Sequence, residues 1–343
     1  MTLRRFLLGI AAATALLLPA SAAHAADQVK VRLATLAPKG TSFHKSLLTM
    51  GDKWGKSSGG SVALTIFTDG AQGGEADMVR RMRVGQLQAA LLSVAGLLQI
   101  DESVTALQLM PMTFRDFNEF DYVSEKLRPM LEKKLEEKGF VVLFWGDAGW
   151  VRFFSKQPAS RPDDFKKMKM FVWSGDTRSS EVMKAIGINA VPLEQTDIFV
   201  GLQTGLVEAV PSIPVFALAG QFYNPAPNML DLNWVPLVGA AVISKKTWDT
   251  IPAKTRTDMR AAAEEAGKQI RERARIESAE AIEAMKKRGL KVQALDDKGM
   301  AEWRAFAEAV YPRIRGKVVP AEMFDEVQRL LKEYRASNAQ GGK

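Results

Sequence analysis

Arg152 stands in a stretch dense in aromatic side chains: Trp145, Trp150 and Phe153 surround it, and Phe171 and Trp173 follow on what reads as the next strand. One guanidinium beside flat apolar faces is the chemistry of binding rather than of bond-making. The cation would take an anionic group, and the rings a planar or apolar body. The usual groups for making and breaking bonds are scarce. The chain has no cysteine, and its two histidines are His24 and His44. Thiolate nucleophiles, thiolate metal sites and disulfides are thereby excluded. Once a leader containing His24 is removed, a His-based zinc site or a Ser-His-Asp triad would have only His44 to draw on. His44 lies in Thr41-Ser42-Phe43-His44-Lys45, where it reads as a capping-turn or cleft-edge residue. An enzyme built on this chain would rely on Lys, Tyr or carboxylates, for instance Glu75 or Asp176 with Arg152. No nucleophile–base pair is spaced for that work.

Arg4 and Arg5 precede an apolar run from Phe6 to Pro19, and Ala23-His24-Ala25 supplies an A-x-A cleavage pattern. Residues 1–25 therefore read as a secretory signal peptide. The apolar run is shorter than the roughly 20 residues of a membrane span. No Cys follows it, so no lipid anchor is expected, and the mature chain should be soluble in a bacterial periplasm. Two charges of the formal +8 leave with the leader. The rest are spread without a basic run interleaved with aromatics, which argues against a nucleic-acid partner.

The elements that must position these residues alternate. Strand-like Val29–Leu36 and Val62–Phe67 and a short apolar strand at Leu87–Val94 flank helices at Ser42–Lys56 and Ala76–Arg83, a β-α-β-α-β order that calls for a parallel sheet. The alternation resumes with a charged amphipathic helix, Asp116–Lys138, and strands at Phe140–Trp145, Val151–Ser155, Met168–Trp173, Ala190–Val191 and Val238–Ser244. Helices at Asp176–Ile186 and Thr196–Thr204 lie between them, and residues 211–236 are rich in Pro and aromatics. From Pro252 a helical pattern runs to Lys287, with Met259, Ala263, Ala266, Ile270 and Ala274 at three- and four-residue steps. Its stripe is Ala-rich rather than a Leu/Ile seam, so a helix lying across two lobes is expected in place of a coiled coil. A strand at Lys291–Ala294 and a helix at Lys298–Arg315 complete an α/β protein of two lobes joined by crossing strands.

Several motifs follow one another in a set order: Leu33-Ala34-Thr35 with its Pro-Gly loop, Gly73-Gly74-Glu75 before Arg83-Val84-Gly85-Gln86-Leu87, and Leu109-Met110-Pro111-Met112. Arg152 followed by Pro158, the turn Pro162-Asp163-Asp164-Phe165, and Leu202-Gln203-Thr204-Gly205-Leu206-Val207-Glu208-Ala209 continue it. This order of motifs resembles the extracytoplasmic solute-binding proteins of tripartite ATP-independent periplasmic (TRAP) transporters. It implies two α/β lobes linked by a hinge and bridged by the long helix, closing on one small ligand for delivery to membrane permease subunits. On this reading residues 26–149 and 238–278 form one lobe, residues 150–237 and 279–337 the other, and 338–343 a flexible tail. A monomer or weak dimer is expected.

Members of this family usually hold a carboxylate with an arginine in a Lys-x-Arg-Val pattern. Here Lys169-Met170-Phe171-Val172 puts Phe171 at that place. A second family contact, an asparagine, falls near Ser212, and the Glu-Trp pair of the metal-using branch is replaced by Pro211-Ser212, so no metal and no cofactor are expected. Arg152 matches a second arginine that many relatives aim into the cleft. By family position Thr35, Glu75, Ser93, Gln195 and Ser212 also face it, and Trp150, Phe171 and Trp173 complete the expected ligand-binding set. The ligand implied is a small organic solute: an organic acid, or one that is aromatic or apolar. With an anionic ligand, Arg152→Ala would weaken binding by about 1.5–3 kcal/mol. An exported lyase or isomerase acting on a small acid, and a ligand sensor for a membrane kinase, are the alternatives.

Overall fold

Alternating and β-branched residues make strands of Val29–Thr35 (β1), Val62–Phe67 (β2) and Ala89–Ser93 (β3), with helices Ser42–Ser57 (α1) and Glu75–Arg83 (α2) between them. β1 pairs in parallel with both β2 and β3, as the β-α-β-α-β order requires. The structure, a computed structural model, describes residues 28–340, and the expected signal peptide lies outside the described residues. After a helical turn, Val94–Leu97 (α3), and a 3-10 segment at Glu102–Leu107, Phe117–Glu137 (α4) leads into Phe140–Trp150 (β4). Val151 alone separates β4 from Arg152–Ser155 (β5), the first strand of a second sheet. Pro162–Lys166 (α5), Lys169–Trp173 (β6), Thr177–Ala185 (α6), Asn189–Leu193 (β7), Ile198–Thr204 (α7), Ala209–Ser212 (β8), Pro214–Ala219 (α8) and Asn228–Leu230 (β9) follow. The chain then returns through Pro236–Ser244 (β10), Lys245–Thr250 (α9) and Ala253–Lys286 (α10). It ends with Lys291–Gln293 (β11), Asp297–Glu308 (α11), Tyr311–Ile314 (α12) and Ala321–Gln340 (α13).

The first sheet has the order β2-β1-β3-β10-β4 and the second β11-β9-β5-β8-β6-β7. These are the two α/β lobes. The two crossings between them are bonded to each other: Val151 N donates to Val235 O at 2.9 Å and Trp234 N to Val151 O at 3.3 Å. The lobes are thus joined by two adjacent crossings, at Val151 and at residues 231–235.

The long helix is present as expected, 34 residues or about 51 Å of α10 at ~1.5 Å per residue. Its predicted stripe, Met259, Ala263, Ala266, Ile270 and Ala274, is buried. Toward its start it is held on the first lobe, where Trp54 Nε1 donates to Met259 O at 2.9 Å and Arg271 Nη1 to Trp145 O at 2.6 Å. At its far end Met285 joins the core of the second lobe with Phe154 and Phe222. Gly267 allows the close approach to β4: a Cβ there would sit 2.7 Å from a ring carbon of Phe144.

Three expectations are corrected. β4 does not stop at Trp145 but runs on to Trp150, because β10 pairs with it along that whole length despite the Gly-rich sequence. The helix expected over Lys298–Arg315 is two, α11 and α12, since Pro312 lacks the amide hydrogen to continue the first. Finally, the segment expected as second lobe plus tail ends in α13, which lies along α4 of the first lobe and remains helical to Gln340. What holds it there is chemical: Arg335 forks onto the buried Glu119, with Nε and Nη2 each 2.7 Å from a carboxylate oxygen, and the Tyr122 and Tyr334 rings pack 5.0 Å apart.

Burial alone would raise the Glu119 pKa, but the bonds from Arg335 and from the Arg115 amide, with both guanidinium charges, outweigh it and hold the carboxyl below its ordinary 4.5. A depressed carboxyl stabilises the fold above its unfolded pKa, and that stability is lost as pH falls through the lower folded value. Arg335→Ala should therefore cost about 1–3 kcal/mol in urea unfolding at neutral pH. The gap from the unsubstituted protein should narrow below pH 4.5. A gap independent of pH would show that Arg335 acts only through packing.

Candidate ligand-binding site

Three adjoining cavities, of about 480, 730 and 800 Å³, open between the two sheets. The Phe216 ring, on α8, lines all three and meets Phe43 of the first lobe edge-on at 5.7 Å. On the first-lobe side Thr35 closes β1, its Oγ accepting from Ala37 N at 3.1 Å. Glu75 opens α2, and its carboxylate accepts from Ser93 N at 2.8 Å and Ser93 Oγ at 2.6 Å. Ser93 in turn caps α3 by accepting from Ala95 N. Gly96 leaves the room Glu75 occupies, since a Cβ there would lie 2.9 Å from the Glu75 Cβ. Burial pushes the Glu75 carboxyl up, and the bonds from Ser93 and Gly96 only partly pull it back.

The second lobe contributes β6, the end of β8 and the start of α6. Phe171 and Trp173, two residues apart on β6, present one face and meet edge-to-face at 5.0 Å. Ser212 lies at the end of β8. Asp176 caps α6, accepting from Ser179 N at 2.9 Å, and burial raises its carboxyl as well. Gln195 crosses the gap: its Nε2 donates to Leu36 O of the first lobe at 2.9 Å, while its buried Oε1 has no partner. Thr35, Glu75, Ser93, Phe171, Trp173, Gln195 and Ser212 thus all line this interlobe cleft.

Two expected residues do not. Trp150 is buried against Phe117 at 5.0 Å, on the α4 side of β4, and lines none of these cavities. Arg152 faces a different hollow, shared with Arg115 and Arg304. Its Nη1 donates to Asn233 Oδ1, and Nη2 lies 3.3 Å from Asp231. The returning crossing supplies both partners, so the guanidinium is captured at the hinge before it can reach the cleft. Burial lowers its pKa, with Asp231 opposing. Arg152→Ala should accordingly leave ligand affinity within about threefold. A larger loss by calorimetry would show that the side chain swings into the cleft on binding.

Residues the sequence did not single out include Phe216, Phe43, Trp234 and Leu237. Pro214 at the first turn of α8 was the available signal for the helix that carries Phe216.

Residues 33–317 match the family described as bacterial extracellular solute-binding protein, family 7, DctP. The chain belongs to this family. It is a TRAP-type solute-binding protein in the same sense as its relatives. It is 24% identical to the C4-dicarboxylate-binding periplasmic protein DctP of Rhodobacter capsulatus, over 84% of this chain and 87% of that protein. A TRAP periplasmic solute-binding protein of Xanthobacter autotrophicus, solved with β-D-galacturonate, shares the fold at TM-score 0.80 and 22% identity, covering 88% of this chain and 99% of that one. One from Shewanella oneidensis, solved with succinate, does so at TM-score 0.82 and 17% identity, covering 89% and 99%. The proteins of this family serve transport in the periplasm.

Proposed function

We propose that this TRAP solute-binding protein works in the periplasm, captures one small organic solute between its lobes and delivers it unchanged to the membrane subunits of a TRAP permease. The observation that carries this reading is the interlobe cleft itself. Gln195 and Phe216 already reach across it to Leu36 and Phe43, so a ligand contacting both walls would favour the closed arrangement. We place the hinge at Val151 and at residues 231–235, with the first lobe built on the sheet of β1 to β4 and β10 and the second on the sheet of β5 to β9 and β11. Aromatic faces at Phe171, Trp173 and Phe216 would hold the solute's body. Thr35, Glu75, Ser93, Gln195 and Ser212 would orient its polar groups. No helix among the described residues is long and apolar enough to cross a membrane.

Catalysis is not part of this reading, because the cleft offers carboxylates and hydroxyls without a histidine or lysine to pair with them. Nor is a metal, and among the described residues no cluster of three His, Cys, Asp or Glu could hold one. A second reading, that the solute is an organic acid, is favoured by the ligands named for the relatives: a C4-dicarboxylate, galacturonate and succinate.

A thermal-shift screen of small acids, aromatic acids and neutral solutes tests the proposal, since a ligand of the folded state raises its melting temperature. The binding solute should compact the protein in small-angle scattering and be recovered unaltered after prolonged incubation. Steady product formation would instead establish an exported lyase or isomerase.

A further inference from the structure

The two crossings between the lobes form a wall with two sides. Val151, Trp234 and Val235 line the cleft, while their neighbours Arg152, Asp231 and Asn233 line a second hollow of about 720 Å³. Two more arginines reach that hollow. Arg115 comes from the segment before α4 in the first lobe, and Arg304 from α11, which packs on α5 of the second. Trp303, beside Arg304, is fully buried against Phe153 and Phe165 and fixes the helix there.

None of the three guanidiniums is fully paired. Nη2 of Arg152 lies 3.3 Å from Asp231, and Nη1 donates to the neutral Asn233. Its Nε–H is buried with no acceptor. The carboxylate nearest Arg115 is Glu119, 4.0 Å away, and Arg335 already holds it at 2.7 Å. Glu302, two residues before Arg304, pairs with Arg161 at 2.9 Å, and among the described residues Arg304 has no ion-pair partner. Three positive charges less the one of Asp231 leave a net +2 around one concave space. Like charges gathered there repel one another, and burial works against the Arg152 charge with only Asp231 opposing. An oxyanion answers both costs, since guanidinium forks match phosphate-like oxygens with paired N–H donors.

We propose that this hollow is a binding site for a dianionic oxyanion: sulfate, inorganic phosphate or a phosphate monoester. The site lies behind the solute cleft and is separate from it. Arg152 and Arg304 hold the oxygens from the second lobe and Arg115 from the first, so the ion ties the lobes together on the side away from the solute. Phe114, Leu232 and Met300 complete the walls with apolar surface. A dianion is selected because it cancels the net charge that Asp231 leaves uncompensated.

Calorimetric titration of the full mature protein at pH 8 tests this, with sulfate, inorganic phosphate, glycerol 3-phosphate and acetate as probes and sodium chloride keeping ionic strength constant. Sulfate or phosphate should saturate one site with a Kd below about 1 mM, and acetate should bind at least about tenfold more weakly. Glycerol 3-phosphate binding as tightly as phosphate would identify a monoester as the ligand; tight binding of the inorganic ions alone would identify a free ion. Arg115 and Arg304 are exposed, so Arg115→Gln and Arg304→Gln should keep the melting profile of the anion-free protein. Each should weaken the tightest of the dianions about tenfold or more while leaving solute affinity in the cleft unchanged. No saturable dianion binding tighter than about 1 mM, acetate binding as tightly, or undiminished dianion affinity in either variant would overturn the proposal. Any of these results would leave solute capture intact, because Val151 and Trp234 face the other way.

Discussion

Arg275→Ala should destabilise the protein by about 3–5 kcal/mol, the scale for breaking a buried ion pair from one side. Arg275 reaches from α10 to Asp147 at 2.8 Å and to Asp121 at 2.6 Å, and its guanidinium lies 4.1 Å from the centre of the Phe117 ring. The Asp147 side chain is fully buried. Burial already raises its carboxyl, and Arg275 is what opposes that rise. Without the guanidinium, Asp147 must either keep an uncompensated charge in the core of β4 or take up a proton. Urea unfolding at neutral pH should show the loss, and adding Asp147→Asn should restore part of it. A loss under about 1 kcal/mol would mean that water reaches Asp147 and solvates it.

Phe216→Ala should weaken binding of the tightest solute in the screen by roughly ten- to hundredfold, the scale for losing about 1.5–3 kcal/mol of apolar contact. Phe216 is the one cleft side chain that borders all three cavities, and it also meets Phe43 across the lobes. Its loss removes ligand contact and a closing contact together. Trp173 fluorescence titration would read the change. Unchanged affinity would place the solute wholly on the Glu75 side, away from the aromatic wall.

Much of this architecture is legible in the residues. The period-2 alternation of Val29–Thr35 and the Ala-rich stripe of α10 report local geometry, and each is realised nearly to the residue. The same rule set Phe171 and Trp173 on one face. Arg152 escaped it, because a long side chain goes where its partners are. Those partners, Asp231 and Asn233, arrive on the returning crossing about eighty positions later, beyond any local pattern. The far half of β4 is hidden from local pattern for a related reason: Gly146-Asp147-Ala148-Gly149 has poor strand propensity, and pairing with β10 holds it extended. In α13, Met323, Phe324, Val327, Leu330 and Leu331 have helical spacing and are all buried, so that helix carries a local amphipathic signal of its own.

The placement of β10 bears on how the molecule comes into being. That strand sits between β3 and β4 in the first sheet, yet it leaves the ribosome only after β5 to β9 have been made. A polypeptide cut at Trp150 would hold β3 and β4 with no strand to join them, two bare edges open to self-association. A piece from Arg152 to Leu230 would lack β11, the partner of β9. Neither half is a separable module, and loop closure over such distances makes assembly slow. The first lobe is therefore completed late, by the chain's return, and the nascent protein stays unlocked until most of its length is in hand.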